Sequence, residues 1–172
     1  MKTRLESEEV LYSAEDITAI GREDINHLIE MAKANRRKRI RICCHPNLES
    51  PFHEMIIVMH CSNYIRPHAH TLKDESYHIV EGAMTIVFFD SNGAVIRSIK
   101  LDAGRRDLPF YCRVPANTFH TVIFDTEWAV FHETTLGPFD RSDTHYAPWS
   151  PSEDDSDKIV EYISTLRRIG TK

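Results

Sequence analysis

An all-β core carrying a helix at each end is the fold class that this 172-residue chain predicts. Three observations lead there. Between Ile40 and Thr135 the sequence breaks into short runs rich in β-branched and aromatic residues, the spacing of a sandwich or barrel rather than of a helical bundle. Turn chemistry separates the runs, most specifically at Asp90-Ser91-Asn92-Gly93, where Asn and Gly accept the positive φ of a hairpin. Outside this region the apolar period changes from two residues to that of a helix.

Taken in order, the first helix is predicted from Arg22 to about Arg36, with Ile25, Leu28, Ile29 and Ala32 on one stripe. Acidic Glu23 and Asp24 open it and the basic cluster Arg36, Arg37, Lys38 and Arg39 closes it, which suits the helix dipole. That cluster reads as a solvated helix end and receives no site role. Strands follow at Ile40–Cys43, Met55–Cys61, Tyr64–His68, Ser76–Val80, Met84–Phe89, Ala94–Leu101, Tyr111–Val114, His120–Phe124 and Trp128–Thr134. A stretch with Gly137, Pro138, Pro148 and Pro151 reads as loop, and Ser156–Arg168 returns to a helical stripe through Ile159, Val160, Ile163 and Leu166. The chain therefore divides into an N-terminal helical extension (1–39), a β-barrel (40–140) and a C-terminal loop and helix (141–172) that packs on the barrel or a partner. No internal repeat or second domain is visible.

Composition narrows the function classes. With 41% hydrophobic residues the chain can bury one substantial core. A formal charge of −5 and a pI near 6.0 offer no basic face for nucleic acid, although a local cationic pocket for a small anion remains compatible with them. Neither an export signal nor a membrane span is apparent, so the expected location is the cytoplasm. Cys43, Cys44, Cys61 and Cys112 lack a paired C-x-x-C pattern and read as reduced thiols. One of the adjacent pair Cys43 and Cys44 must point inward.

The chemistry-bearing residues are His68, His70, Glu75 and His120. In an extended segment His68 and His70 project from one face while Ala69 keeps the position between them small. Glu75 follows after four residues and can bring a hard oxygen to two imidazole nitrogens, and His120 would close the site from another strand. A jelly roll or small barrel is the architecture in which residues some fifty positions apart meet in one interior.

An H-x-H pair alone is as often two surface histidines. The longer phrase is more specific: His68-x-His70, Glu75, Gly82, then Pro115-Ala116-Asn117-Thr118-Phe119-His120. It resembles both motifs of the cupin superfamily, and the resemblance implies a single jelly-roll (double-stranded β-helix) barrel with His68, His70, Glu75 and His120 as metal ligands. Ser62, Asn117 and Phe124 stand where that pattern has glycine, glycine and asparagine. Asn117 can still take the left-handed backbone of a tight turn. A narrower resemblance runs through Arg41-Ile42-Cys43-Cys44-His45, His53–Val58, Tyr64–His70, Glu75–Gly82 and Leu136-Gly137-Pro138-Phe139. Together these look like the WbuC-type cupin fold metalloproteins, which implies a bacterial surface-polysaccharide context and a homodimer.

Three histidines and one carboxylate suit one divalent transition metal, Fe, Mn, Ni, Co or Zn, and leave room for a substrate oxygen. The leading reading is an enzyme that acts on a small oxygen-rich molecule, a sugar or sugar nucleotide, by isomerase- or epimerase-like Lewis-acid chemistry. It needs a base outside the metal shell, and His45, His53, Glu54, Tyr77 and His132 are the candidates. His45 ranks first because it lies in the shared Arg41–His45 phrase; Tyr77 shares strand parity with Glu75. Of Arg41, Arg66 and Arg113, Arg41 is favoured to hold a substrate carboxylate or phosphate. The assigned catalytic set is thus His45, Arg41 and Tyr77. Two other classes stay open, a metal-dependent dioxygenase and a non-catalytic metal- or carbohydrate-binding protein.

Overall fold

A computed structural model describes residues 1–170 of the chain. Its elements run β1 (Thr3–Ser7), β2 (Val10–Ser13), α1 (Arg22–Ala34), β3 (Arg39–Cys43), β4 (Phe52–His60), β5 (His68–His70), β6 (Glu75–Glu81) and β7 (Ala83–Phe89). They continue with β8 (Val95–Asp102), β9 (Tyr111–Val114), β10 (Phe119–Phe124), β11 (Trp128–Leu136), a 3₁₀ turn (Arg141–Asp143), β12 (Thr144–Tyr146) and α2 (Ser156–Gly170). One sheet has the order β1-β2-β3-β4-β11-β6-β9 and the other β12-β5-β10-β7-β8. The result is a two-sheet sandwich, consistent with a cupin jelly roll.

The strand period of two explains the layering. In β7, Met84, Ile86 and Phe88 turn inward to meet Tyr77, Ile79 and Phe131 of the larger sheet. The alternate residues Val87 and Phe89 turn outward and are covered by Leu166 and Ile163 of α2. All of β7 is buried for this reason. On the far side, Ile25, Leu28 and Ala32 of α1 cover Ile40, Ile42, Val58 and Val130, the outward residues of the larger sheet. Asp24 closes the start of α1 by accepting from the Gly21 N–H at 2.9 Å.

Register places the inward residues in rows across the larger sheet. Arg41 lies beside Ile57, Phe131 and Ile79; Cys43 beside Met55, Glu133, Tyr77 and Cys112; and His53 beside Thr135, Glu75 and Val114. Between β6 and β7, Gly82 holds φ +78°, and a Cβ there would lie 2.4 Å from Thr126 Oγ1 and 2.5 Å from the Trp128 carbonyl. The turn before β10 uses Asn117 at φ +59°, as its amide side chain allows.

Four local expectations change. Residues 3–13, ahead of the first helix, form the hairpin β1–β2, and β2 runs parallel to β3. Tyr64–Pro67 is not a strand: Pro67 has no N–H for a ladder, and the segment is tied by side chains instead, Tyr64 Oη to the Pro151 carbonyl at 3.0 Å and Arg66 Nε to Ser150 Oγ at 3.1 Å. The strand occupies His68–His70. In the tail, Thr144–Tyr146 pairs with β5.

Candidate metal centre

Two facing sheets bring the ligand-type side chains to one point. His68 lies directly across the β5–β10 ladder from His120, and their rings are 4.6 Å apart. His70, two residues on, shares that face, while Glu75 enters from the first position of β6 on the opposite sheet. Donor atoms of His68, Glu75 and His120 all lie within 4.8 Å of one another, and Glu75 and His120 are buried. His70 Nε2 stands 3.1 Å from Glu75 Oε1 and His120 Nε2 stands 3.0 Å from Glu75 Oε2.

Hydrogen bonding fixes which nitrogens face the centre. His68 Nδ1 lies 2.9 Å from the Arg66 carbonyl and His120 Nδ1 lies 3.0 Å from the Thr118 carbonyl. A carbonyl only accepts, so each Nδ1 carries the proton and each Nε2 of a neutral ring presents its lone pair inward. The Tyr77 hydroxyl donates to Glu75 Oε2 at 3.0 Å and lies 3.3 Å from His120 Nε2. One phenolic proton therefore serves a pocket in which an imidazole nitrogen and a carboxylate oxygen oppose each other. Such a surplus of acceptors is met by an extra proton or by a cation, and the donor set of imidazoles and one carboxylate fits a divalent transition metal.

A second observation supports the fit. His70 Nδ1 and Asp143 Oδ2 are both buried without a hydrogen-bond partner, and they face each other at 3.6 Å. Asp143 is itself fixed, because its Oδ1 accepts from the Thr71 and Leu72 N–H groups at 2.9 Å each. A carboxylate behind the far nitrogen of a ligand histidine is the arrangement that orients such a ring.

Burial and neighbouring His120 push His68 down to about 4, so its ring stays neutral. Burial acts to raise Glu75, but the facing His120 and His70 rings, which become donors to it when they take up a second proton, prevail and hold it well below the usual carboxylate range. Tyr77 is driven well above the ordinary phenol by burial and then by the Glu75 charge, so it remains a hydrogen-bond donor. Glu133 faces the same interior beside Tyr77, and its carboxyl group makes no hydrogen bond or ion pair among the described residues. Burial, followed by the Glu75 charge, raises it to about 8, against the pull of Arg41 and Lys73.

The residues singled out from sequence are distributed as follows. His68, Glu75 and His120 converge as one possible ligand group, while His70 and Tyr77 each reach Glu75 from beside it. Arg41 faces the interior two strands from Glu133, and its buried Nε has no hydrogen-bond partner. His45 is buried in a stack with His53, ring centroids 4.0 Å apart, and its Nδ1 lies 3.1 Å from both the N–H and the carbonyl of Glu54. It makes no bond to the centre; burial lowers its basicity. His132 lies beside His78 and Ile56 on the outward face. Arg66 is bonded to Ser150 and Ala147, and exposed Arg113 pairs with Asp74. Cys43 is the inward one of the cysteine pair.

Glu133 and Asp143 escape the sequence reading. Glu133 carries a usable signal, since Ala129, Phe131 and Glu133 alternate along one strand and place an acid on an apolar face. Asp143 carries none, because its neighbourhood reads as loop.

Residues 20–101 match a domain of unknown function (DUF6016). No curated protein matches the chain. Among solved structures, protein SO0799 from Shewanella oneidensis is similar at a TM-score of 0.51 and 10% identity, over 72% of this chain and 77% of that one. The architecture is cupin-like. The capsular polysaccharide assembling protein CapF from Staphylococcus aureus aligns at a TM-score of 0.48 and 17% identity over 62% of this chain, which spans only 32% of CapF. A Bacillus subtilis oxalate decarboxylase OxdC mutant aligns at 0.45 and 15% identity, over 56% of this chain and 24% of that one. At these identities the likeness bears on fold alone, and the two weaker ones add nothing to it. Among the described residues no helix is long and apolar enough to cross a membrane.

Proposed function

We propose that this chain is a metal-dependent enzyme acting on a small oxygen-rich molecule, a sugar or sugar nucleotide, by isomerase- or epimerase-like proton transfer. The observation that carries the reading is the excess of buried acceptors where His68 Nε2, His120 Nε2 and both Glu75 oxygens converge. His68, His70, Glu75 and His120 would hold the ion, with Asp143 orienting His70. A divalent metal there supplies Lewis acidity toward a carbonyl or hydroxyl oxygen.

The chain's own residues divide the remaining work. Tyr77, kept protonated, donates a hydrogen bond beside the reacting oxygen. Glu133, poised near 8, takes and returns a proton close to neutral pH, where general acid–base catalysis is most effective. His45 supports this layer through His53, which shares a row with Glu75, rather than reaching the substrate. The motif phrase that resembles the WbuC-type proteins supports a surface-polysaccharide setting and a homodimer.

Elemental analysis of the purified protein beside His68→Ala/His70→Ala, both verified folded by circular dichroism, tests the centre. Near-stoichiometric metal that disappears in the variant is expected; no metal in either after reconstitution overturns the reading. Incubation with a panel of sugars and sugar nucleotides in D2O tests the chemistry, because proton transfer at carbon leaves deuterium visible by NMR. Turnover that consumes dioxygen without such exchange would replace it by the dioxygenase reading.

A further inference from the structure

Beside the proposed centre lies a cavity of about 740 Å³, roomy enough for a whole small ligand rather than one anion. One wall is built by Arg41, Ile57 and Met59, and the other by Thr144 and Tyr146. That second wall is continuous with the centre: Thr144 pairs with His70 and Tyr146 with His68 in the ladder, and the Tyr146 and His68 rings are 6.4 Å apart. Whatever fills the cavity therefore stands next to the histidines.

Its charge is unevenly neutralised. Arg37, Arg39, Arg41 and Arg141 line the cavity against Glu8, Glu9 and Glu153. Glu9 is fully engaged, bound by Arg37 through two contacts of 2.5 and 2.6 Å and by Arg39 at 2.9 Å. The basic cluster expected to be only a solvated helix end thus helps shape this rim. Arg41 and Arg141 form no ion pair among the described residues. Arg141 is exposed at the mouth, whereas the Arg41 Nε–H is buried with nothing to donate to. A buried, unmet donor on a permanently charged group is costly, and the fixed fork of a guanidinium is relieved by an oxyanion. Glu133, the inward acid nearest in register, does not bond to Arg41 and does not line the cavity, so it does not neutralise the guanidinium there.

We propose that Arg41 and Arg141 form an anion subsite in this cavity that holds the phosphate or diphosphate of a phosphorylated substrate while its oxygen-rich end reaches the histidine centre. This deepens the function proposed above and rests on it for the second half of the sentence. Arg41 is accordingly a binding residue rather than a proton carrier.

The test is calorimetric titration of the full chain with inorganic pyrophosphate at low salt, after chelator treatment so that no metal can capture the anion. Saturable one-to-one binding is expected, weakened about tenfold by Arg41→Gln and several-fold by exposed Arg141→Gln, which carries no risk to the core. Arg97→Gln, on exposed β8, should leave it unchanged. Absence of saturation, or affinity indifferent to both Arg41 and Arg141, overturns the subsite. Malonate binding as tightly as pyrophosphate overturns the phosphate assignment. Because the titration needs no metal, loss of the metal reading and loss of the subsite are separate outcomes.

Discussion

Replacing Glu133 by glutamine should make the protein more stable than the parent in alkali and little different in acid. The carboxyl moves from about 4.5 in the unfolded chain to about 8 in the fold, chiefly through burial. Between those values the unfolded chain has released a proton that the folded chain retains, so the parent loses stability as pH rises from about 4.5 to about 8 and no more beyond it. At roughly 1.4 kcal/mol per tenfold change in proton affinity the ceiling is about 5 kcal/mol. Glu133 is only half-buried, and solvent screening reduces the expected difference to roughly 2–3 kcal/mol. Glutamine preserves the shape and cannot ionise, so subtracting the two proteins cancels every other titrating group. Urea unfolding of the chelator-treated parent and Glu133→Gln at pH 5 and pH 9 reads the effect directly. A difference between the two proteins that is the same at both pH values would mean that Glu133 ionises as an ordinary carboxylate, and its role as a neutral acid would be withdrawn.

Three further predictions follow from the same geometry. Asp143→Asn should weaken Co(II) binding by about 10–100-fold and alter the cobalt absorption bands, while His145→Ala, an exposed neighbour on β12, should do neither; equal affinity in Asp143→Asn removes the orienting role. Tyr77→Phe deletes the buried donor to Glu75 and should cost about 1–3 kcal/mol in urea unfolding at neutral pH. With that donor gone Glu75 is protonated more easily, so the stability that its depressed pKa contributes should be lost at higher pH on acidification than in the parent; superposable acid limbs would refute this. Gly82→Ala should destabilise by more than about 1 kcal/mol, since φ is +78° and the added carbon meets the Trp128 carbonyl, and an unchanged denaturation midpoint would contradict it.

Much of the site was legible from sequence because a strand has a period of two. That period alone put His68 and His70 on one face and gave Tyr77 the parity of Glu75, and all four side chains do face one interior. The same rule, applied to Ala129, Phe131 and Glu133, would have exposed a buried acid. It failed at Tyr64–Pro67, where alternation resembled a strand but the tail supplied side-chain and carbonyl partners in place of a ladder.

Composition and local periodicity by themselves determined an all-β core with a helix at each end, because burial of an alternating stripe and of a helical stripe are properties of neighbouring residues. They also determined which residue types were available for a metal. Only the tertiary structure decided which charges remain unmet: Glu9 takes up Arg37 and Arg39, Asp143 comes to stand behind His70, and Arg41 and Glu133 are left facing the same interior without bonding. Those outcomes depend on how the fold places residues 28 to 92 positions apart, for which local sequence holds no physical information.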